Sequence, residues 1–332
     1  MISVRNSLML RGIAILIVIG SHYAGWMFVE PVHVRAHDWI STWGPIGVDI
    51  FFLLSGYGLT VSAARGSGEN CKSGINGRFV AARIIGSVLP YYILAALINC
   101  YSGAWVSGYR EGNLLHVIRD YLVAEDFWFM QVLFVFYVLF IIAFRFGGRI
   151  RLPLVLAAAI LYTVLLVQSG HADFWELSNM AFPLGIVAAT LELAFPKRMK
   201  SISVRAAIFA AGAIGFFVSF LGMEQTGGSG AETSFFWELS MNLFFAVLVL
   251  GAASVLPDWK GRVLPILGKN SLFIYLLHTV LFWGMMIKLD ELPYAQAAVI
   301  TGVVTLFVCV LVGTAYNRVT GLFMKKKGRA GA

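Results

Sequence analysis

Long apolar runs recur along almost the whole chain, and each is about as long as a helix that crosses a membrane. A spanning α-helix needs about 20 mostly apolar residues, because the hydrocarbon core of a bilayer is about 30 Å thick. Ten runs are predicted as transmembrane helices: 9–28, 44–64, 84–101, 127–147, 152–170, 174–195, 204–222, 234–256, 264–287 and 296–319. The run at 174–195 is the weakest, since it contains Glu176, Asn179, Pro183 and Glu192. The pattern predicts an all-α polytopic membrane protein.

The composition excludes the soluble classes of protein. Of 332 residues, 59% are hydrophobic and only 13% are charged, whereas soluble domains carry about 25% charged residues. Three cysteines are too few for a disulfide framework. The longest predicted loop is 102–126. We therefore expect residues 1–332 to form a single integral membrane domain without an appended soluble domain, and the first run to be a retained span rather than a cleaved signal peptide.

The distribution of basic residues predicts how the chain is oriented. If both termini are cytoplasmic, 21 of the 25 Lys and Arg residues fall on the cytoplasmic side of the ten spans. Basic residues favour that side of a membrane. The formal net charge of +8 is thus explained by topology in a lipid bilayer. It does not indicate a nucleic-acid partner.

The informative residues within the predicted spans are ionisable side chains, because such groups are costly there and often functional. They are Arg11, His22, Asp49, Glu192, Glu238 and His278. Arg11 and His22 are eleven residues apart, so they share one face of a helix and are about 16 Å apart along its axis. In the predicted topology, His22, Asp49 and His278 reach similar depths in the outer half of the membrane from three helices. This convergence is what a functional site predicts.

Simpler explanations exist for several of these residues. Arg11 can extend its side chain to the inner headgroups. A single membrane histidine such as His278 is often a hydrogen-bonding group between packed helices. Glu192 is close in sequence to Lys197 and Arg198, and interfacial pairing with them would account for it. Asp49 has the weakest simple explanation, since its short side chain cannot reach the interface.

Histidine is the side chain best suited to accept and return a proton near neutral pH. A neighbouring carboxylate can hold the tautomer of such a base and stabilise its charged form. The chain has no HExxH, GxSxG or P-loop pattern. A metal site is poorly supported, because its ligands would come from single residues on separate helices. We therefore predict proton-transfer chemistry without a bound metal.

Five segments resemble those of the integral membrane acyltransferase family 3. Residues 11–22 are similar to the R-x10-H pattern of that family's first helix, and GVDIFFLLSGYG at 47–58 closely resembles the G-V-D-x-F-F-x-x-S-G-[FY] signature of its second. Three further segments are similar to later family motifs: RFVAARIIGSVLPYY at 78–92, DFWFMQVLFVFYVLF around Trp128, and LGKNSLFIYLLHTVLF around His278. They occur in family order over nearly the whole chain, and ten helices are the expected number.

The resemblance implies transfer of an acyl group to a carbohydrate or other acceptor at the outer side of a bacterial inner membrane. The donor is usually acetyl-CoA, which acts as a substrate, and no tightly bound cofactor is implied. By position, His22 would be the catalytic base, Asp49 would orient it or balance its charge, and Arg11 would be a donor-side contact. Arg78 and Arg83 would face the CoA phosphates. Four residues would support the site or contact substrate: Ser55, Tyr57, Trp128 and His278.

Other interpretations stay open at this point. A proton-coupled transporter or flippase of a glycan precursor would also use intramembrane His, Asp and Arg residues, although no inverted repeat is visible. An assembly subunit is a third alternative, and the depth-matched residues argue against it. The acceptor can be polysaccharide, lipopolysaccharide, a lipid-linked oligosaccharide or a periplasmic glucan. The donor can be succinyl-CoA, and transfer can be direct or through an acyl-histidine. The sequence gives no oligomeric state.

Overall fold

The structure is a computed structural model that describes most of the predicted spans. It covers residues 2–27, 43–66, 128–170, 175–226, 231–286 and 294–329, together with 40, 75, 77–80, 83–84, 89, 93, 289 and 292. Helices make up 90% of the structure, and the described residues contain no strand. The predicted all-α class is confirmed.

Twelve α-helices lie in the part of the chain that the structure describes. In chain order they are α1 (Val4–Met27), α2 (Gly44–Gly66), α3 (Gly77–Val80), α4 (Trp128–Phe146), α5 (Arg151–Ser169), α6 (Ala181–Ala194), α7 (Pro196–Lys200), α8 (Ile202–Thr226), α9 (Ala231–Val255), α10 (Val263–Lys269), α11 (Ser271–Met286) and α12 (Tyr294–Arg329). A 3-10 turn, Gly148–Ile150, precedes α5.

Seven segments are long and apolar enough to cross a membrane, which confirms the polytopic class. They are Val4–Ala24, Gly44–Arg65, Trp128–Phe146, Gly148–Ser169, Ile202–Thr226, Ser234–Val255 and Val299–Arg318. Each coincides with one of the ten predicted spans. The predicted span at 84–101 lies almost entirely outside the described residues. The two remaining predicted spans, at 174–195 and 264–287, differ from a single long helix.

The predicted span at 174–195 is helical only in its second part. Residues 175–180 form turns, and α6 begins at Ala181 and has 14 residues. Ser178 and Asn179 favour turns over helix interiors, because such short polar side chains hydrogen-bond to nearby backbone groups. Pro183 is in the first turn of α6, where its missing N–H would have no helical partner. The local sequence therefore places a non-helical polar segment before this short apolar helix.

The predicted span at 264–287 is two helices, because Asn270 ends α10 before α11 begins. Its backbone N–H donates to the carbonyl oxygens of Ile266 and Leu267, at 3.2 and 3.0 Å, and its side-chain Nδ2 donates to Ile266 at 2.9 Å. The Asn270 carbonyl oxygen then accepts from Ile274 in α11, at 3.0 Å. The average apolarity of the run does not reveal a break of one residue.

The chain divides into two compact units. The large unit consists of Met1–Ser7, Pro45–Ala96 and Leu114–Trp259, and the small unit of Leu8–Gly44, Leu97–Asn113 and Lys260–Ala332. Most of α1 belongs to the small unit with α10, α11 and α12. The large unit contains α2 to α9, apart from the first residue of α2.

In the large unit, α2 and α6 cross with their backbones in contact at two glycines. A methyl group on Gly56 would come 2.1 Å from the carbonyl oxygen of Phe182, and one on Gly185 would come 2.1 Å from that of Leu53. Phe182 also stacks on Phe136 of α4, with ring centroids 4.8 Å apart. The absence of a side chain at both glycines therefore allows α2, α4 and α6 to close around an aromatic core.

The pair α8 and α9 is antiparallel and also closely packed in the large unit. A methyl group on Gly212 would meet the backbone of Leu248 at 2.4 Å, and one on Gly222 would meet the ring of Trp237 at 2.4 Å. Since the sum of the two residue numbers is nearly constant along the contact, the helices run in opposite directions. Arg205 donates to the Ser254 carbonyl oxygen at 2.8 Å and so ties the end of α9 to the start of α8.

In the small unit, α1 contacts the α10 region at two further glycines. A methyl group on Gly12 would come 2.2 Å from the carbonyl oxygen of Leu264, and one on Gly268 would come 1.8 Å from that of Leu8. Close backbone contact through small residues is a common way for membrane helices to associate. This crossing fixes α1 against the helices that carry the second histidine of the candidate site.

Candidate functional site

One uninterrupted helix, α1, carries both Arg11 and His22. The predicted helical relation between them is therefore present, with about 16 Å of rise over eleven residues. Arg11 is partly buried. The face that they share belongs to the small unit.

His22 and His278 are hydrogen-bonded to each other. Nδ1 of His22 lies 2.7 Å from Nε2 of His278, and the two ring planes are within 8° of parallel. His278 exposes 1% of its surface, and His22 is partly buried. Two helices of the small unit, α1 and α11, thus bring together two titratable side chains separated by 256 positions in the sequence.

The contacts of Nδ1 of His278 identify which nitrogen of each ring carries the proton. Nδ1 of His278 is 2.6 Å from the Tyr275 carbonyl oxygen and 3.1 Å from that of Ile274. A carbonyl oxygen only accepts, so this nitrogen carries the proton and, in a neutral ring, Nε2 carries the lone pair. The 2.7 Å contact then needs a proton on Nδ1 of His22. Neutral His22 is left with its lone pair on Nε2, the atom a general base uses.

The glycine contacts in the small unit hold α1 against α10. Gly12 and Gly268 are both at points of backbone contact. Gly268 precedes the break at Asn270, whereas His278 follows it on α11. The crossing therefore holds α1 beside the segment that leads into the helix with the second histidine.

Asp49 is a buried carboxylate in the large unit. It exposes 1% of its surface, and among the described residues neither of its oxygens has a hydrogen-bond partner. The Ser178 hydroxyl lies beside it but donates its single hydrogen to the Pro45 carbonyl oxygen, at 2.8 Å. The structure brings His22 and His278 together within one unit. The predicted role of Asp49 towards His22 stays a prediction, since Asp49 belongs to the other unit.

Tyr57 and Glu192 form a contact that the sequence did not indicate. The Tyr57 hydroxyl donates to a carboxylate oxygen of Glu192 and accepts from the backbone N–H of Ile2, at 3.3 Å. Sequence proximity had suggested Lys197 and Arg198 as partners of Glu192. The tyrosine is 135 residues away, so no local pattern could have identified it.

Of Arg78 and Arg83, which are predicted to face the CoA phosphates, the structure describes the side chain of Arg83 only. Arg83 donates to the Ser62 hydroxyl of α2 at 2.6 Å, and its guanidinium lies 5.8 Å from the centre of the Phe79 ring. Arg78 is in the short helix α3, and its side chain lies outside the described residues. Arg83 is therefore held beside the last turns of α2.

The two remaining predicted supporting residues are also in the large unit. Ser55 is a partly buried residue of α2. Trp128 is the first residue of α4, and its ring lies 6.2 Å from that of Trp175, measured between centroids. Trp175 opens the non-helical segment 175–180, which sequence reasoning had treated as part of a span. Its polar residues in an apolar run were the signal that could have identified it.

The comparison with protein families gives one match. A family model described as an acyltransferase domain, that of acyltransferase family 3, matches residues 9–314. The matched range contains all the predicted site residues. Neither the comparison with curated proteins nor that with solved structures found a match. Because the family match extends over far more than half of the 332 residues, the chain belongs to acyltransferase family 3, the membrane acyltransferases.

Proposed function

We propose that the protein transfers an acetyl group from acetyl-CoA to a hydroxyl of a cell-envelope carbohydrate, at the outer side of the bacterial inner membrane. Family membership supports acyl transfer. The single observation that carries the mechanism is the hydrogen-bonded pair of His22 and His278, because its proton arrangement leaves a lone pair on Nε2 of His22. The spans support action within a membrane.

In this mechanism, His22 acts as the general base. Nε2 of His22 takes the proton of the acceptor hydroxyl as the hydroxyl oxygen attacks the thioester carbonyl carbon. The carbon–sulfur bond then breaks, an ester forms, and the CoA sulfur receives the proton from the His22 imidazolium. General base catalysis of this kind contributes about 10²- to 10⁴-fold to a rate. A site within the membrane also limits hydrolysis of the thioester by water.

His278 is a positioning residue in this mechanism. Its Nε2 accepts the hydrogen bond from Nδ1 of His22, and the Tyr275 carbonyl oxygen fixes which nitrogen of His278 is free to accept. When His22 becomes an imidazolium, its Nδ1 remains a donor to the same partner. The pair therefore changes protonation at one atom, Nε2 of His22, without a rearrangement of the rings.

The donor-side proposal uses the arginines. CoA is anionic, and charge-assisted hydrogen bonds from guanidinium groups suit its phosphates. Arg11 shares a helix face with His22, and the family pattern assigns Arg78 and Arg83 to the same donor. In the proposed topology these three residues are near the cytoplasmic side, and the flexible arm of CoA extends along α1 to present its thioester at His22.

The test measures covalent transfer. Membranes containing the protein are incubated with radiolabelled acetyl-CoA, and label is counted in extracted cell-envelope glycan. We expect His22→Ala to reduce label by about 10³-fold. His171→Ala is the matched control, since His171 lies in a predicted loop. A His22→Ala protein that is inserted at the wild-type level and retains full transfer would contradict the proposal.

Two further measurements separate the alternatives. Glycan-precursor movement across vesicles without covalent labelling would support the transporter or flippase instead. Incubation with acetyl-CoA in the absence of acceptor tests for acetylated protein by mass spectrometry of rapidly quenched samples. Direct transfer predicts no acetylated His22, whereas an acyl-histidine intermediate predicts one.

A further inference from the structure

A buried polar junction lies in the small unit, at the point where α10 ends and α11 begins. Its central member is Asn270, which exposes 2% of its surface. Three residues of α12 contact or closely approach this side chain: Gly313, Thr314 and Asn317. We refer to these four residues as the Asn270 junction. The proton transfer proposed for His22 does not use them directly.

The Asn270 side chain joins α10 to α12. Its Nδ2 donates to the Ile266 carbonyl oxygen of α10 at 2.9 Å and to the Thr314 hydroxyl of α12 at 3.5 Å. Its Oδ1 accepts from Nδ2 of Asn317, also in α12, at 3.3 Å. A carbonyl oxygen only accepts hydrogen bonds, so the contact with Ile266 fixes the orientation of the amide. Both ends of the amide are therefore engaged.

The start of α11 is also packed closely against α12. A methyl group on Gly313 would come 2.6 Å from Oδ1 of Asn270. Phe273, in the first turn of α11, packs on Tyr316 of α12 with ring centroids 5.0 Å apart. Hydrogen bonds from polar side chains commonly join helices in membranes. The Asn270 junction therefore adds a polar connection to an aromatic contact between the same two helices.

A chain of hydrogen bonds leads from Asn270 to the histidine pair. The Asn270 carbonyl oxygen accepts from the backbone N–H of Ile274 at 3.0 Å, and the Ile274 carbonyl oxygen lies 3.1 Å from Nδ1 of His278. Nε2 of His278 then accepts from Nδ1 of His22 at 2.7 Å. From Asn270 to His278 the rise along α11 is about 12 Å. A helix of this length transmits a displacement of its first turn to the imidazole.

The helix α12 also lies beside His22. A methyl group on Gly302 of α12 would come 3.1 Å from the ring of Tyr23, the residue after His22 on α1. Tyr23 in turn packs on Phe282 of α11, with ring centroids 4.7 Å apart. Since α12 contacts both helices that carry the histidines, it is a common support for the pair. Asn270 fixes α11 to that support.

We propose that Asn270 is a positioning residue for the catalytic base. By holding the start of α11 against α12, it keeps Nε2 of His278 within hydrogen-bonding distance of Nδ1 of His22. It acts through His278 rather than on a substrate. The effect on catalysis rests on the proposed function, whereas the effect on the histidine pair does not.

The first experiment measures catalysis by the full-length protein in lipid nanodiscs, with glycan extracted from the host's own cell envelope as acceptor. Initial rates of CoA release give kcat and the KM for acetyl-CoA. We expect Asn270→Ala to lower kcat about tenfold and to leave the KM within about twofold, because catalysis is sensitive to displacements of about 1 Å. An unchanged kcat, or a loss confined to the KM, would contradict positioning.

Asn242 of α9 is the matched control. Like Asn270 it exposes 2% of its surface, and its Nδ2 donates to the Glu238 carbonyl oxygen, four residues earlier, at 2.9 Å. It belongs to the large unit, so Asn242→Ala should leave kcat unchanged. A loss equal to that of Asn270→Ala would show that removal of any such buried asparagine impairs the protein, and would contradict a specific role for Asn270.

Asn270→Ser separates the cap of α10 from the contacts with α12. A serine hydroxyl can still donate to the Ile266 carbonyl oxygen, but it is too short to reach α12. We expect Asn270→Ser to lose as much kcat as Asn270→Ala. Full activity in Asn270→Ser would overturn the proposed role of the α12 contacts.

A second experiment does not depend on catalysis. In protein labelled with ¹⁵N-histidine, NMR distinguishes an imidazole with its proton on Nδ1 from one with its proton on Nε2. The wild-type contacts place it on Nδ1 in both rings, and loss of signals in His22→Ala and His278→Ala assigns them. In Asn270→Ala we expect His22 to shift towards the Nε2–H form, since its Nδ1 loses the acceptor. His278 should not change, because Tyr275 is on the same helix. An unchanged His22 would overturn the inference.

The two experiments distinguish this inference from the proposed function. If the wild-type protein releases no CoA from acetyl-CoA or succinyl-CoA, acyl transfer is contradicted and the NMR experiment alone decides the role of Asn270. If transfer occurs and Asn270→Ala changes neither kcat nor the proton position on His22, the positioning role is wrong and the transferase remains.

Discussion

His278 in the small unit and Asp49 in the large unit each expose 1% of their surface, but their hydrogen bonding differs. Both nitrogens of His278 are engaged, one with backbone carbonyl oxygens and one with His22. Neither oxygen of Asp49 has a partner among the described residues. Burial without partners is unfavourable for both kinds of group. The described atoms of the small unit remove this penalty for His278, whereas the described part of the large unit gives Asp49 no partner.

The hydrogen-bonded pair suits the proton transfer proposed for His22. A proton-transfer group works best when its tautomer and ring orientation are fixed before substrate arrives, and the histidine pair is fixed by its own helices.

Among the variants that test this comparison, His278→Ala is expected to have the largest effect on catalysis. His278→Ala removes the acceptor for Nδ1 of His22, so the His22 proton is no longer held on that nitrogen. We expect kcat for acyl transfer to fall about 100-fold with little change in the acetyl-CoA KM, as measured by CoA release.

His278→Gln serves as the conservative variant, because its amide oxygen can accept the same hydrogen bond. It should recover at least part of the lost rate. Equal losses in the alanine and glutamine variants would show that His278 supports packing only and does not position His22.

A smaller effect is expected from the glycine crossings, and it should differ between the units. Gly12→Ala and Gly185→Ala each place a methyl group about 2 Å from a backbone oxygen, so each should lower stability by about 1–3 kcal/mol. Only Gly12→Ala shifts α1 against α10, so we expect it also to lower kcat about tenfold. Thermal unfolding and CoA release measure the two quantities.

Gly20→Ala is the matched control for this pair. It lies on α1, but a methyl group there has nothing within 4 Å. Replacement of an unhindered helical glycine by alanine should leave stability unchanged or raise it by up to about 1 kcal/mol. If Gly185→Ala lowered kcat as much as Gly12→Ala, the assignment of positioning to the small unit would be incorrect.

The effect expected at Tyr57 is on stability alone. Tyr57→Phe removes the hydroxyl that joins Glu192 to the Ile2 backbone. A hydrogen bond to a charged group contributes about 1.5–3 kcal/mol, and a neutral one about 1 kcal/mol. We expect a drop in melting temperature of a few degrees. A variant as stable as the wild type would mean that Glu192 finds another donor.

Hydropathy predicted the spans well where one helix is both long and uniformly apolar. The predicted runs at 127–147 and 152–170 agree with Trp128–Phe146 and Gly148–Ser169 to within a few residues. It missed the turns at 175–180 and the break at Asn270, because an average over 20 residues hides one cap or a few polar side chains. These interruptions depend on particular backbone hydrogen bonds.

Site residues could be nominated from the sequence, but their contacts could not. Helical periodicity and membrane depth identified His22, Asp49 and His278. The hydrogen bond between the two histidines requires the α1 crossing at Gly12 and Gly268, which is tertiary information. The partner of Glu192 likewise depends on packing between distant segments.

If Arg11 contacts the donor as proposed, the uninterrupted helix α1 also acts as a gauge of donor length. A rigid rod with Arg11 and His22 on one face keeps two anchor points about 16 Å apart. If the anionic end of the donor is held at the first point, its reactive carbonyl reaches the second only when the connecting arm matches that interval. A thioester on a truncated arm would be held in place and yet fall short of the base. The helix would thereby select thioesters by the length of the arm between their anionic end and their carbonyl group, independently of which acyl group they carry.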